Sequence, residues 1–193
     1  MEEKPSTEME FRDVMGRCRD LFVKKMHDYG TAWSVMRPQS VTDQLYIKAC
    51  RIRSLEVKRK AMVDEGVATE FVAIVNYAIM GLIALEREGE GTPTTTPTLL
   101  APEEALARYD RHADEAMQLM VRKNHDYDEA WRGMRVSSYT DLILMKLLRT
   151  KQIENLAGQT LVSEGVAANY MDMMNYAVFG LIKLTIEHEG APT

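Results

Sequence analysis

Lys25-Met26-His27-Asp28-Tyr29 is followed 98 residues later by Lys123-Asn124-His125-Asp126-Tyr127. Working outward at the same offset, Trp33, Met36 and Arg37 return as Trp131, Met134 and Arg135, and Ser40, Thr42 and Asp43 as Ser138, Thr140 and Asp141. Lys48, Arg51 and Glu56 return as Lys146, Arg149 and Glu154. After one inserted residue the register becomes 99: Glu65-Gly66-Val67-Ala68 matches Glu164-Gly165-Val166-Ala167, and Asn76-Tyr77-Ala78 matches Asn175-Tyr176-Ala177. Gly81-Leu82-Ile83 matches Gly180-Leu181-Ile182. Matches this dense and in one order are a duplication. Two copies of so long a unit are not a solenoid; they are what remains when a unit that once dimerised is written twice. The expectation is an all-α chain of two tandem homologous helical repeats, residues 1–87 and 102–193, packed as an internal pseudo-dimeric bundle. Between them, residues 88–101 carry Gly, Pro and a threonine tract, the composition of an exposed linker.

Three helices are expected in each repeat, and no sustained alternation or hairpin signal suggests a strand. The first helix runs from about Thr7 to His27, with Thr7-x-x-Glu10 as a capping box, and from about Pro102 to His125, with Pro102 early in the helix and Glu103-Glu104 in its first turn. Gly30 allows a left-handed exit, which Asp128 tolerates in the second copy. Ser40-x-x-Asp43 and Ser138-x-x-Asp141 open the second helix. Asp64 and Ser163 are candidate N-caps of the third, with Glu65 and Glu164 in the favourable first turn. That third helix is apolar almost all round and needs enclosure by protein. Gly81 and Gly180 lower its helix propensity and mark places of close approach. The two third helices are expected to meet each other or the second helices at the pseudo-twofold centre.

Composition narrows function. The net charge of −5 leaves no cationic excess for long nucleic acid, although two or three local cations suffice for one nucleotide. Cys18 and Cys50 occupy non-equivalent places and form no CxxC motif; they read as small core residues in a reducing cytosol. The polar N-terminus lacks a signal-peptide core. The apolar run Phe71–Leu85, interrupted by Asn76, falls short of a bilayer span. A cytoplasmic protein without a membrane partner is expected, either monomeric with its pseudo-twofold or a homodimer.

Four sets of recurring polar residues carry the candidate chemistry. Lys25 and Lys123 stand at helix ends beside Tyr29, Trp33, Tyr127 and Trp131, where a cation could meet phosphate and aromatics could cover a base; the bland alternative is a helix stop whose aromatics plug the bundle end. The His-Asp doublet invites a metal-dependent phosphohydrolase, but the other histidines, His112 and His188, have no counterparts in the first copy. Lys48-x-x-Arg51 and Lys146-x-x-Arg149 place paired cations on one helical face, suited to a di- or triphosphate, with Glu56 and Glu154 further along. In the third helix Asp172 lies within an apolar stretch, where a carboxylate must be paired or metal-bound. Its counterpart is Ala73, while Glu70 corresponds to Asn169. Asn76 and Asn175 either pin the helix register or orient a ligand.

On Lys25, Asp28, Tyr29, Gly30, the downstream Trp33, the Lys-x-x-Arg helix and Asp172-Met173-Met174-Asn175-Tyr176, the chain resembles the nucleotide modification associated domain 1 family, often found as a tandem repeat. More remotely it is similar to all-α nucleoside triphosphate pyrophosphohydrolases of the MazG and dimeric dUTPase group. That similarity implies a nucleotide or deoxynucleotide ligand, with Lys48, Arg51, Lys146 and Arg149 on its phosphates. It also implies Mg²⁺ held by Glu56, Glu70, Glu154 and Asp172, with Glu56, Glu154 and Asp172 catalytic. The family's Glu-x-x-Asp is split here, as Glu70-x-x-Ala73 and Asn169-x-x-Asp172. A nucleotide-sensing or structural protein is therefore the alternative implied.

Overall fold

A computed structural model describes residues 6–58, 66–92, 95–161 and 164–186. The first repeat comprises α1 (Thr7–Tyr29), α2 (Pro38–Lys58) and α3 (Val67–Gly89), the second α4 (Pro102–Tyr127), α5 (Val136–Asn155) and α6 (Val166–Leu181). A single 3-10 turn carries each tryptophan, at Ala32–Val35 and Ala130–Gly133. The end of α6 relaxes into a π turn over Ile182–Ile186. The described residues contain no strand, as the absence of alternation in the sequence implies.

Both routes to the pseudo-twofold centre are taken: α3 packs on α6, each packs on its own second helix, and α2 packs on α5. The two crossings are antiparallel. Gly81, late in α3, faces the Tyr170 ring early in α6, and Gly180, late in α6, faces the Phe71 ring early in α3. A Cβ at Gly81 would lie 2.7 Å from the Tyr170 ring, and one at Gly180 would lie 3.1 Å from Phe71. The close approach expected of these glycines thus admits an aromatic side chain of the other repeat, not its backbone. Apolar burial dominates here: Phe71, Ile74, Ile79, Ile83, Tyr170, Met173 and Met174 are all inaccessible to solvent.

The α2–α5 crossing is stitched by reciprocal pairs. Thr42 donates to Glu154 at 2.6 Å and Thr140 to Glu56 at 2.8 Å, while Arg53 pairs with Asp141 and Lys151 with Asp43. In each case the partner comes from the other repeat. Helices α1 and α4 flank this centre and meet through a bidentate Arg19–Asp110 pair at 2.6 and 2.9 Å.

Several boundaries differ from the sequence reading. The first helices run two residues further, to Tyr29 and Tyr127. The N-cap of α1 is Ser6, accepting from Met9 N–H; Glu10 instead faces Arg132, so no capping box forms. Pro38 starts α2 and Val136 starts α5, which places Ser40 and Ser138 inside the first turn and frees Asp43 and Asp141 for the cross-repeat ion pairs. Gly66 and Gly165 precede α3 and α6; Asp64, Glu65, Ser163 and His188 lie outside the described residues. Both exits have positive φ, 65° at Gly30 and 45° at Asp128, but only Asp128 takes the left-handed helical conformation expected; Gly30, with ψ of −147°, leaves in an extended one that its missing Cβ permits. α3 reaches Gly89, inside the stretch read as linker, and Leu100 is buried in the core.

By length and composition α3 passes for a membrane span, with a mean hydropathy of 1.8 over 18 residues, so the apolar run is longer than the sequence reading allowed. Its apolar surface is spent on α2 and α6. Cys18 is buried, and apolar burial pushes its thiol up to about 12, which makes it the inert core residue expected.

Candidate functional site

Each tryptophan corner is sealed by the segment that leads into the first helix of the other repeat. At the first corner, Thr31 donates to the Leu100 carbonyl at 2.6 Å, Leu100 N–H donates to Ser34 Oγ at 3.1 Å, and Arg87 holds the Thr98 and Ser34 carbonyls. At the second, Thr7 and Glu10 of α1 reach Glu129 and Arg132. Glu129 accepts from Thr7, Asn124 and Arg132. Burial disfavours its charge, but those donors outweigh burial and hold its carboxyl down at about 2. Asp128 and Glu129 are consecutive left-handed residues, a backbone costing on the order of 1 kcal/mol per residue, held by this network.

Behind the second corner lies a cavity of about 500 Å³, within the range of small-ligand sites. Trp131 and Phe179 stack in its wall at 4.4 Å and 12°, the Arg132 guanidinium covers the indole at 4.3 Å, and Tyr127 and Tyr176 complete the aromatic lining. The polar groups are Lys123, Asn124, Asp126, Asp172 and Asn175. Asp172 is gripped from two sides: Lys123 Nζ contacts one carboxylate oxygen and Lys146 Nζ the other, both at 2.6 Å. Burial works against the charged carboxylate, but the two ammonium groups prevail and its pKa falls below the usual aspartate value. Burial likewise opposes the charge on Lys123, and Asp172 again prevails, raising that pKa. Asp126 adds a second carboxylate to the lining and Lys146 stands outside it, so Lys123 is the cation that the cavity wall itself presents. Three buried side-chain atoms of residues in its wall have no partner: the Trp131 indole nitrogen, a donor, and the Asn124 and Asn175 side-chain oxygens, both acceptors.

The sequence-selected residues divide between places. Lys123, Tyr127, Trp131, Asp172 and Asn175 converge on the cavity, with Lys146 just behind Asp172. In the first repeat, Lys48 and Arg51 turn inward onto Glu70, at 3.2 and 2.6 Å, and Ala73 replaces the aspartate. Lys25 and Tyr29 are exposed, and Trp33 packs on Phe22. Arg149 lies apart from the cavity, in a groove with the Leu156–Leu161 turn. The paired-cation motifs therefore do not present themselves jointly to a phosphate. The His-Asp doublets are exposed at both corners.

Glu56, Glu70, Glu154 and Asp172 do not fit a shared magnesium site. No group of three or more His, Cys, Asp or Glu side chains able to hold a metal occurs among the described residues. Each carboxylate is also engaged elsewhere: Glu70 and Asp172 by cations, Glu56 and Glu154 by threonine hydroxyls. Burial raises the pKa of Glu56 and Glu154, partly offset by those hydroxyls.

Sequence reasoning passed over Asn124, Tyr176 and Phe179. Tyr176 carried a signal, since it recurs with Asn175. Phe179 carried none, because Met80 holds its place in the first repeat. The model of one protein family, nucleotide modification associated domain 1, matches residues 25–85 and again 123–184. No curated protein and no solved structure matches the chain.

Proposed function

Because the chain belongs to the nucleotide modification associated domain 1 family, we propose that it is a nucleotide-binding module whose ligand occupies the second-repeat cavity. The observation that carries this reading is the set of unpartnered buried atoms, Trp131 Nε1, Asn175 Oδ1 and Asn124 Oδ1, in an aromatic wall. Buried polar atoms without partners are uncommon and costly. A base edge offers both an acceptor and a donor, and its face suits Tyr127, Tyr176 or Trp131. Lys123, half-exposed at the same cavity, is the cation for the anionic end of the ligand.

Thermal unfolding with the deoxynucleoside mono- and triphosphates, alone and with Mg²⁺, is the test. A ligand present at one hundred times its Kd would add about 2.7 kcal/mol of apparent stability. Trp131→Phe and Asn175→Leu should abolish that gain, and no nucleotide-dependent stabilisation in the parent protein would refute the reading.

The pyrophosphohydrolase similarity offers a second reading, magnesium-dependent cleavage between phosphates. Its support is a carboxylate pattern that those enzymes have whole and this chain has split between its repeats; against it stands the engagement of all four carboxylates. Pyrophosphate release decides. Turnover lost on Glu154→Gln or Asp172→Ala would favour the enzyme, whereas binding without release favours the module.

A further inference from the structure

Building on the nucleotide reading, we infer that only the second repeat is competent to bind, that Asn175 sets specificity by demanding an N–H donor from its ligand, and that Tyr109 and Phe22 close the matching place in the first repeat. The two asparagines are held identically at one end: Asn76 donates to the Cys18 carbonyl at 3.1 Å and Asn175 to the Ala116 carbonyl at 3.3 Å, residues equivalent by the 98 offset. At the other end they differ. Asn76 Oδ1 accepts the Tyr109 hydroxyl at 2.8 Å, whereas Asn175 Oδ1 accepts nothing.

The cause is one oxygen atom. Tyr109 sits on α4 and serves the first repeat; the equivalent residue on α1 is Phe11, fully buried and without a hydroxyl. A second substitution compounds the difference. Phe22 lies 4.6 Å from the Tyr109 ring and 5.7 Å from the Trp33 ring, filling the first corner, while its counterpart Met120 lines the second-repeat cavity. The Trp33 indole nitrogen also lacks a partner, so the first repeat keeps the donor half of the pair and has lost the acceptor half. It lacks the anchored Lys123–Asp172 arrangement as well, since Ala73 stands at the aspartate position.

A single tyrosine in the other repeat thus does to Asn76 what a ligand N–H would do to Asn175. The ligand class follows: a planar heterocycle with an N–H or amino donor beside a ring acceptor, carrying an anionic substituent within reach of Lys123.

The chain has two tryptophans, so the two sites can be watched separately through their indole N–H signals in ¹⁵N spectra, assigned with Trp33→Phe and Trp131→Phe. Titration with the four deoxynucleoside 5′-monophosphates should move the Trp131 signal and leave that of Trp33 in place, with one molecule bound per chain. Phe11→Tyr should weaken binding at least tenfold without lowering Tm. Phe22→Met with Tyr109→Phe should make the Trp33 signal responsive. Movement of the Trp33 signal in the parent protein, or parent-like affinity in Phe11→Tyr, would overturn the single-site inference and leave nucleotide binding standing. Silence of both indoles with every mono- and triphosphate would overturn both.

Discussion

Each repeat buries one carboxylate in its third helix, but one turn apart, and the surroundings differ more than the position. Glu70 is 1% exposed and meets Lys48 and Arg51, whose side chains keep 26% and 29% of their surface. Asp172 meets Lys146, only 9% exposed, together with the half-exposed Lys123. In the first repeat an anion is buried and its cations stay near water. In the second, anion and cation are buried together beside a cavity. Duplication kept the helix and changed the ledger of charge, and only the second carboxylate stands in the wall of the aromatic cavity.

The sharpest way to break that comparison is to delete the two anions. Asp172→Ala strands Lys146 in the interior and should cost about 3–5 kcal/mol in urea unfolding; adding Lys146→Met should recover much of it. Glu70→Ala should cost less, about 1–3 kcal/mol, because Lys48 and Arg51 can turn to solvent. Equal losses would show the two sites to be energetically alike.

The glycine crossings give a second contrast. Gly81→Ala should destabilise by about 1–3 kcal/mol through overpacking on Tyr170. Gly180→Ala meets Phe71 at the looser 3.1 Å and regains about 1 kcal/mol of helix propensity, so it should come out near neutral.

A third contrast uses pH. Asp172 and Glu129 have depressed pKa values. The stability they supply is present above the ordinary carboxylate value and is lost as pH falls through their folded values, to about 2 for Glu129. Glu56 and Glu154 run the other way: with raised pKa values, their contribution is full below 4.5 and declines as pH rises through the folded value. Asp172→Asn should flatten the acid limb of a stability–pH curve. Glu56→Gln with Glu154→Gln should flatten the decline above pH 4.5 and shift neutral-pH stability by less than about 1 kcal/mol, since the amide oxygen still accepts from threonine.

Much of the fold was legible because duplication writes its own comparison. The recurrence of Gly81 and Gly180 located the crossing, and the apolar third helix implied a central place. What stayed hidden was which repeat supplies each partner. Glu56 and Glu154 read as free acids suited to metal, because nothing along the chain says that Thr140 and Thr42 lie 84 and 112 residues away across an antiparallel crossing. Lys48 and Arg51 looked outward-facing for a related reason: i, i+3 spacing identifies a shared face and does not say what covers it. The cavity itself depended on differences between the copies, Phe11 against Tyr109 and Met120 against Phe22, and a search for what recurs passes over these.

The corner seals have a consequence for how the molecule can be cut. Residues 98–100, the end of the linker that runs into the second repeat, close the first, and residues 7–10 belong to the first yet close the second. Fragments parted between the halves would each leave with the stopper that fits the other. Expressed singly, either piece should be short of a lid and prone to clump; expressed together, they should find each other and rebuild the whole.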